Sequence, residues 1–325
     1  MPVPPSDAPP NIPTSVPGAP AEIISAPKPL QNDAGKGIAF MLLGVGIFAG
    51  MDAMVKWLGE LYPTVQLVFF RSLFAFIPLS IVLIPAGVRS LKTTQLRGHM
   101  MRSVIGLSSM FCFFYSYSRM QLADAIAIGF AAPLFVTALS VPLLREAVGI
   151  RRWSAVIIGF IGTLIMASPT SGVFAPITLV CLVGTFFYAV AMVMIRLLSR
   201  TENPATIVFY FTLTCTLVSG AMLPFVWITP PLTHLCLLIA VGILGGSAQL
   251  AITHAFRAAP LPVVAPFDYT AMIYATIIGW MVWDELPKSQ IWIGAVIVVG
   301  SGLYILFRET KLKDMNLSGR KQPKV

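Results

Sequence analysis

The chain matches itself when it is displaced by about 140 residues, and this repeat constrains the fold more than any other feature. Gly44, Ala49, Met54, Lys56 and Leu58 fall on Gly184, Ala189, Met194, Arg196 and Leu198. Val68, Phe69 and Phe70 fall on Val208, Phe209 and Tyr210. Farther along, an offset one residue shorter brings Gly106, Ser108, Leu122, Glu146 and Trp153 onto Gly245, Ser247, Leu261, Glu285 and Trp292. The matches keep their order across one indel, so two copies of one unit make up the chain.

The medium follows from composition. Hydrophobic residues make up 57% of the 325 and charged residues only 11%, against roughly 25% charged in a soluble domain. A soluble chain could not cover that much apolar surface, so this is an integral membrane protein. Ten segments reach the roughly 17–25 residues that a helix needs to cross a bilayer. They lie near 37–58, 65–86, 99–119, 121–143, 152–169, 173–199, 205–227, 233–256, 261–283 and 289–307. Their long uninterrupted apolar runs exclude a membrane β-barrel, whose strands alternate and are shorter. The fold expected is therefore an all-α membrane protein of ten transmembrane helices, five in each copy.

Orientation comes from lysine and arginine. With the N-terminus inside, the cytoplasmic ends hold eighteen of these residues, Arg102 and Arg196 among them, against Lys56, Arg119 and Lys288 outside. Both termini are then cytoplasmic. Five spans are an odd number, so the second copy enters the membrane from the opposite side and the repeats are inverted. Such pairs, with a site between them, are a recurring construction of secondary transporters. The net charge of +9 is this topology signal and not a nucleic-acid surface. The domains expected are a disordered Pro-rich cytoplasmic tail over 1–36, a first repeat over 37–170, a second over 171–308 and a basic cytoplasmic tail over 309–325. The last of these could also touch anionic membrane lipid.

Enzymatic chemistry has no constellation to rest on. Cys112, Cys181, Cys215 and Cys236 all lie in spans without a CxxC pair, and His99, His234 and His254 make no HExxH. No GxSxG and no phosphate-cradling GxxxxGK[ST] occurs, so neither an enzyme nor an ATP-driven pump is expected, and neither a cofactor nor a metal.

With these segments in hand, the chain resembles the paired EamA domains of the drug/metabolite transporter superfamily over about residues 37–308. The segments that carry the likeness are Gly50-Met51-Asp52-Ala53-Met54-Val55-Lys56, Phe69-Phe70-Arg71, and Ala132-Pro133-Leu134-Phe135 followed by Glu146. In the second copy they are Val264-Ala265-Pro266-Phe267-Asp268-Tyr269 and Trp283-Asp284-Glu285. The resemblance implies a substrate cavity lined mainly by spans one, three, four, six, eight and nine, with spans five and ten peripheral. Within the superfamily the chain looks most like the branch of S-adenosylmethionine and riboflavin importers. A bacterial inner-membrane transporter of a small molecule is expected, importing by alternating access. Export of amino acids or drugs is the alternative, and a non-transporting scaffold or receptor the alternative of another class. A homodimer stays open, because lipid-facing and partner-facing surfaces look alike in sequence.

Charges within spans are costly and face the bundle interior, a partner or water. Asp52 lies roughly 9 Å from the outer end of span one, and Arg71 enters span two to a similar depth. They are expected either to pair and lock the first hairpin or to serve gating and a charged substrate. Lys56, four residues from Asp52 on the same helix face, competes for it. Asp268, roughly 10 Å into span nine, has no basic residue in its own span, and its repeat counterpart is Gly129. Substrate contact, proton coupling and a satisfied structural carboxylate are its three readings. Gln249 on span eight reaches a similar depth. Tyr115, Tyr188 and Tyr269 join them as candidates to stack on a ring or meet a cation, while Tyr117 and Tyr274 are weaker ones. Pro133 and Pro266 should weaken helical hydrogen bonding in spans four and nine. The Gly/Ser faces of spans three and eight read as close packing surfaces. Glu146 and Glu285 are expected to tether the starts of spans five and ten, with Trp153 and Trp292 as interfacial anchors.

Overall fold

A computed structural model describes residues 34–87, 91–132, 134–136, 138–139, 150–167, 176–198, 202, 204–258 and 265–319. Without water in a hydrocarbon core, a peptide chain must satisfy its own N–H and C=O groups, and uninterrupted apolar runs do so by coiling into helices. The described regular structure is all helical: α1 Ala34–Leu58, α2 Thr64–Phe74, α3 Phe76–Ala86, α4 Leu96–Tyr117, α5 Leu122–Gly129, α6 Ile150–Ala167, α7 Pro176–Leu198, α8 Pro204–Met222, α9 Leu232–Ala258, α10 Ala271–Trp283 and α11 Ser289–Gly319. Among the described residues, five stretches are long and apolar enough by themselves to cross a membrane: Gly35–Leu58, Thr64–Pro85, Pro176–Ile195, Ala205–Phe225 and Leu232–Ile252. Shorter apolar helices fall in the fourth, fifth and tenth expected spans, and α4 and α10 occupy the third and ninth.

Four departures from the expected spans have local causes. The second span is two helices, α2 and α3, joined at Ala75. Pro78 has no N–H to give the Phe74 carbonyl, and its ring crowds that group. In the fourth span, the α-helix is interrupted at residues 130–131, with Ala131 N donating to Ile128 O at 3.0 Å and Leu134 N to Ala131 O at 3.0 Å, and it resumes over the described residues 132, 134–136 and 138–139. The ninth span opens as a 3₁₀ segment, Ala265–Thr270, around Pro266, before α10 begins. The last helix does not stop near 307 but continues to Gly319, through what composition alone reads as a tail. Once nucleated, a helix propagates cheaply through good formers such as Glu309, Lys311 and Leu312. Pro133, Glu146 and residues 1–33 lie outside the described residues.

The two copies interlock instead of sitting side by side. α1 packs along α9, and its repeat counterpart α7 packs along α4. α2 lies against both α8 and α9, α8 against both α2 and α4, and α6 against α11. Each of these contacts between copies thus has its partner under the repeat, as a pseudo-two-fold axis requires. Atomic detail follows the same rule. A Cβ on Gly44 would stand 2.8 Å from Ile252 Cγ1 and 3.3 Å from the Ala248 carbonyl. A Cβ on Gly184 would stand 2.7 Å from Cys112 Cβ and 3.6 Å from the Ser109 carbonyl. Ala248 and Ser109 are themselves repeat partners. The Ser109 hydroxyl also donates to the Gly184 carbonyl at 2.9 Å, closing this crossing further.

One core runs through both copies, with Val55, Leu58, Leu67, Leu122, Leu238 and Val241 fully buried in it. A second cluster, including Leu134, Val156, Met272 and Val298, holds α5, α6, α10 and α11 together. Large apolar side chains such as Ile84, Ile157 and Val296 point outward, which is the pattern of a lipid-facing surface.

Candidate functional site

Polar side chains from both copies gather in the middle of the bundle. Arg71 occupies the last turn of α2, where the absence of a side chain at Gly245 makes room: a Cβ there would sit 3.3 Å from Arg71 Nε and 2.8 Å from Met51 Sδ. Arg71 lies within electrostatic reach of Asp52 on α1 and of the Cys215 thiol on α8. The Tyr117 hydroxyl, at the end of α4, lies beside the Asp52 carboxyl group. Arg102 enters from α4 and lays its guanidinium over Phe211 of α8, with Cζ 3.9 Å from the ring centroid. Gly106 permits that stack, since a Cβ there would be 3.0 Å from the Phe211 ring. Gly106 and Gly245 are repeat partners, and so are Phe211 and Arg71. The same symmetric hollow therefore holds an aromatic ring in one copy and a cation in the other.

Tyr188 on α7 connects this cluster to Asp268. It interacts with Arg102 on one side and Asp268 on the other, and lies near Tyr117. Its ring makes an edge contact with Phe113. Tyr188 is 45% exposed, and Asp268 is exposed as well. Asp52 and Arg71 are half-buried. A cavity of about 90 Å³ lies between α2, α4, α8 and α9, and Arg71, Arg102, Phe211, Gln249 and His254 line it.

Of the residues expected from sequence, Arg71 and Gln249 line this cavity, Asp52 lies within electrostatic reach of Arg71, and Tyr188 lies within reach of Arg102 and Asp268. Three others go elsewhere. Lys56 does not turn back to Asp52, as their four-residue spacing suggests. It is buried in an ion pair with Glu285 and sits 4.6 Å from the centre of the Trp283 ring. The cause is the end of α10: Asp284 adopts a left-handed conformation (φ 54°), and Glu285 N then reaches back to Gly279 O at 3.1 Å. That turn delivers the Glu285 carboxylate to α1. Glu285 thus ties the entry of α11 to the opposite copy, with Asp124 and Lys288 close by. Tyr115 lies near the C-terminal end of α4, 40% exposed, with Arg119 Cζ 3.8 Å from its ring centroid. Tyr269 packs edge-on against Phe130 at 5.0 Å, and its hydroxyl abuts Gly302 of α11, away from the interior.

Arg102 is the functional candidate that sequence reasoning passes over. Counted as a cytoplasmic charge, it is in fact buried within α4. The available signal was its place inside the expected span 99–119, opposite the apolar repeat partner Val241.

The profile of the EamA-like transporter family matches residues 35–168 and again 175–307. An S-adenosylmethionine uptake transporter of Rickettsia prowazekii is 28% identical over 86% of this chain and 97% of its own length. A riboflavin transporter of Vibrio cholerae is 34% identical over 69% of this chain and 76% of its own. The pseudopaline exporter CntI of Pseudomonas aeruginosa is 29% identical over 81% of this chain and 93% of its own. A crystal structure 17% identical in sequence shares the fold with a TM-score of 0.58, over 86% of this chain and 98% of that one.

Proposed function

The chain belongs to the EamA-like transporter family, a family of multi-pass membrane transporters and not of enzymes, and from that premise we propose that it takes up a small metabolite across the bacterial inner membrane by alternating access, with both termini in the cytoplasm. The observation that carries this reading is the cavity lined by Arg71, Arg102, Phe211, Gln249 and His254, to which both inverted copies contribute. Rocking one copy against the other exposes such a space to each side in turn. Asp268 and Tyr188 are the proposed substrate contacts of the second copy, and Gln249 lines the adjoining cavity. Asp52, beside Tyr117, and Arg71 are the proposed charged contacts of the first. Lys56, through Glu285, fastens the outer ends of α1 and α11 in this conformation.

An S-adenosylmethionine- or riboflavin-like compound is the substrate class favoured, because relatives named for those compounds align over most of this chain. Export is the second reading, supported by the alignment with CntI. Uptake by cells expressing the protein distinguishes the two: import raises the internal level of labelled S-adenosylmethionine or riboflavin, whereas export lowers it.

A further inference from the structure

We infer that Arg71, Arg102 and Phe211 form an anion subsite that receives the carboxylate of the transported compound. This rests on the transporter reading and narrows its substrate class.

The Arg102 side chain is 9% exposed, and among the described residues no acceptor reaches its buried Nε and Nη1. Nε of Arg71 is buried without an acceptor in the same sense. Guanidinium N–H groups taken out of water without partners are costly, and a fold keeps them only where something else repays the cost. Both side chains line the same cavity, so a ligand there can supply the missing acceptors. The Phe211 ring lies 3.9 Å from Cζ of the Arg102 guanidinium, a planar group whose N–H forks can match a carboxylate in two parallel hydrogen bonds.

Arg71 and Arg102 lie within electrostatic reach of each other, and Asp52 lies within reach of Arg71. Symmetry adds an independent argument. The repeat partners of Arg71 and Arg102 are Phe211 and Val241, so the duplicated scaffold packs without either cation. The subsite favours a compound like S-adenosylmethionine, which bears a carboxylate, over one like riboflavin, which bears none.

The test uses the full chain purified in detergent and probes small enough to need no knowledge of the substrate. Thermal unfolding is followed at constant ionic strength with propionate, with its neutral amide propionamide, with inorganic phosphate, and with added phosphatidylglycerol. Propionate is expected to raise the unfolding temperature and propionamide not to. Arg102→Gln should weaken the apparent propionate affinity about tenfold or more. Arg102→Lys should restore only part of it, because it keeps the charge and loses the fork. If Arg102→Gln does not fold, Phe211→Leu replaces it and should weaken the propionate effect by removing the stack. Equal shifts with propionate and propionamide overturn the inference, as does a propionate shift that persists undiminished in the variant. A response to phosphatidylglycerol or phosphate alone overturns it too, and assigns the cations to a lipid headgroup or a free phosphate instead. A propionate shift in a protein that moves no labelled metabolite in vesicles leaves the subsite standing and removes the transporter reading.

Discussion

Asp268 and Tyr188 meet within the second copy, one from the 3₁₀ opening of the ninth span and the other from the middle of α7, and Tyr188 also reaches Arg102 of the first copy. Replacing Asp268 by Asn keeps the shape and removes the charge. Substrate binding should then weaken by about 1.5–3 kcal/mol, the range for a hydrogen bond to a charged group, with little change in the unfolding temperature of the free protein. An unchanged ligand-induced thermal shift would take Asp268 out of the site. The Lys56–Glu285 pair behaves differently, because Lys56 is 4% exposed and sits under Trp283. Glu285→Gln should destabilise the protein by about 1–3 kcal/mol, since it leaves a buried ammonium with a neutral partner. Lys56→Met, which removes that buried charge, should cost less. Thermal unfolding of the two variants side by side checks the order, and the reverse order would mean the pair is solvated in the membrane-bound protein.

At the scale of elements, the helix crossings depend on glycines whose roles differ within one helix. Gly44→Ala puts a methyl group 2.8 Å from Ile252 and should cost about 1–3 kcal/mol by overpacking. Gly50→Ala, six residues along α1, meets nothing within 4 Å and should be neutral or stabilising by about 1 kcal/mol through helix propensity. Equal effects in unfolding experiments would mean that α1 does not cross α9 as described. Asp284 makes a similar test of the α10 terminus. Its left-handed backbone suits glycine better, so Asp284→Gly should hold or raise stability, whereas Asp284→Val should lower it by about 1–2 kcal/mol. The spans themselves were legible because an apolar run of bilayer length has few alternatives to a helix. Their interruptions were only partly so. Pro266 announced the weakened start of the ninth span, but the join at Ala75 depends on Pro78, one turn on, whose effect falls on the preceding residues. The run of α11 to Gly319 was hidden by its charges, which suit a solvated helix as well as a tail.

Over the whole molecule, the duplication was visible in the order of matched residues, and the odd number of spans per copy made it an inverted one. What composition could not reveal is that the copies interlock, α1 on α9 and α4 on α7, since apolar surfaces do not announce which partner they will meet. The site divides along the same line. Asp52, Arg71 and Asp268 were legible as charges in apolar surroundings that break the repeat, and Gln249 and Tyr188 by depth. Arg102 was not, because a count of positive charges near helix ends treats a buried guanidinium and a surface one alike. Lys56 was misplaced because helix spacing is blind to Glu285, which arrives from the far copy. If both termini are cytoplasmic, as proposed, a fluorescent protein fused at either end should be bright in bacteria, and a fusion that reports periplasmic location at either end would reverse the assignment.

Alternating access through a shared interior is best tested by flux. In proteoliposomes holding the purified chain, labelled S-adenosylmethionine or riboflavin should enter by a saturable route that requires no ATP, and Asp268→Asn should reduce that route without lowering the amount of folded protein. Influx that never exceeds protein-free vesicles for either compound, or for a panel of amino acids, or that Asp268→Asn leaves untouched, would contradict the account.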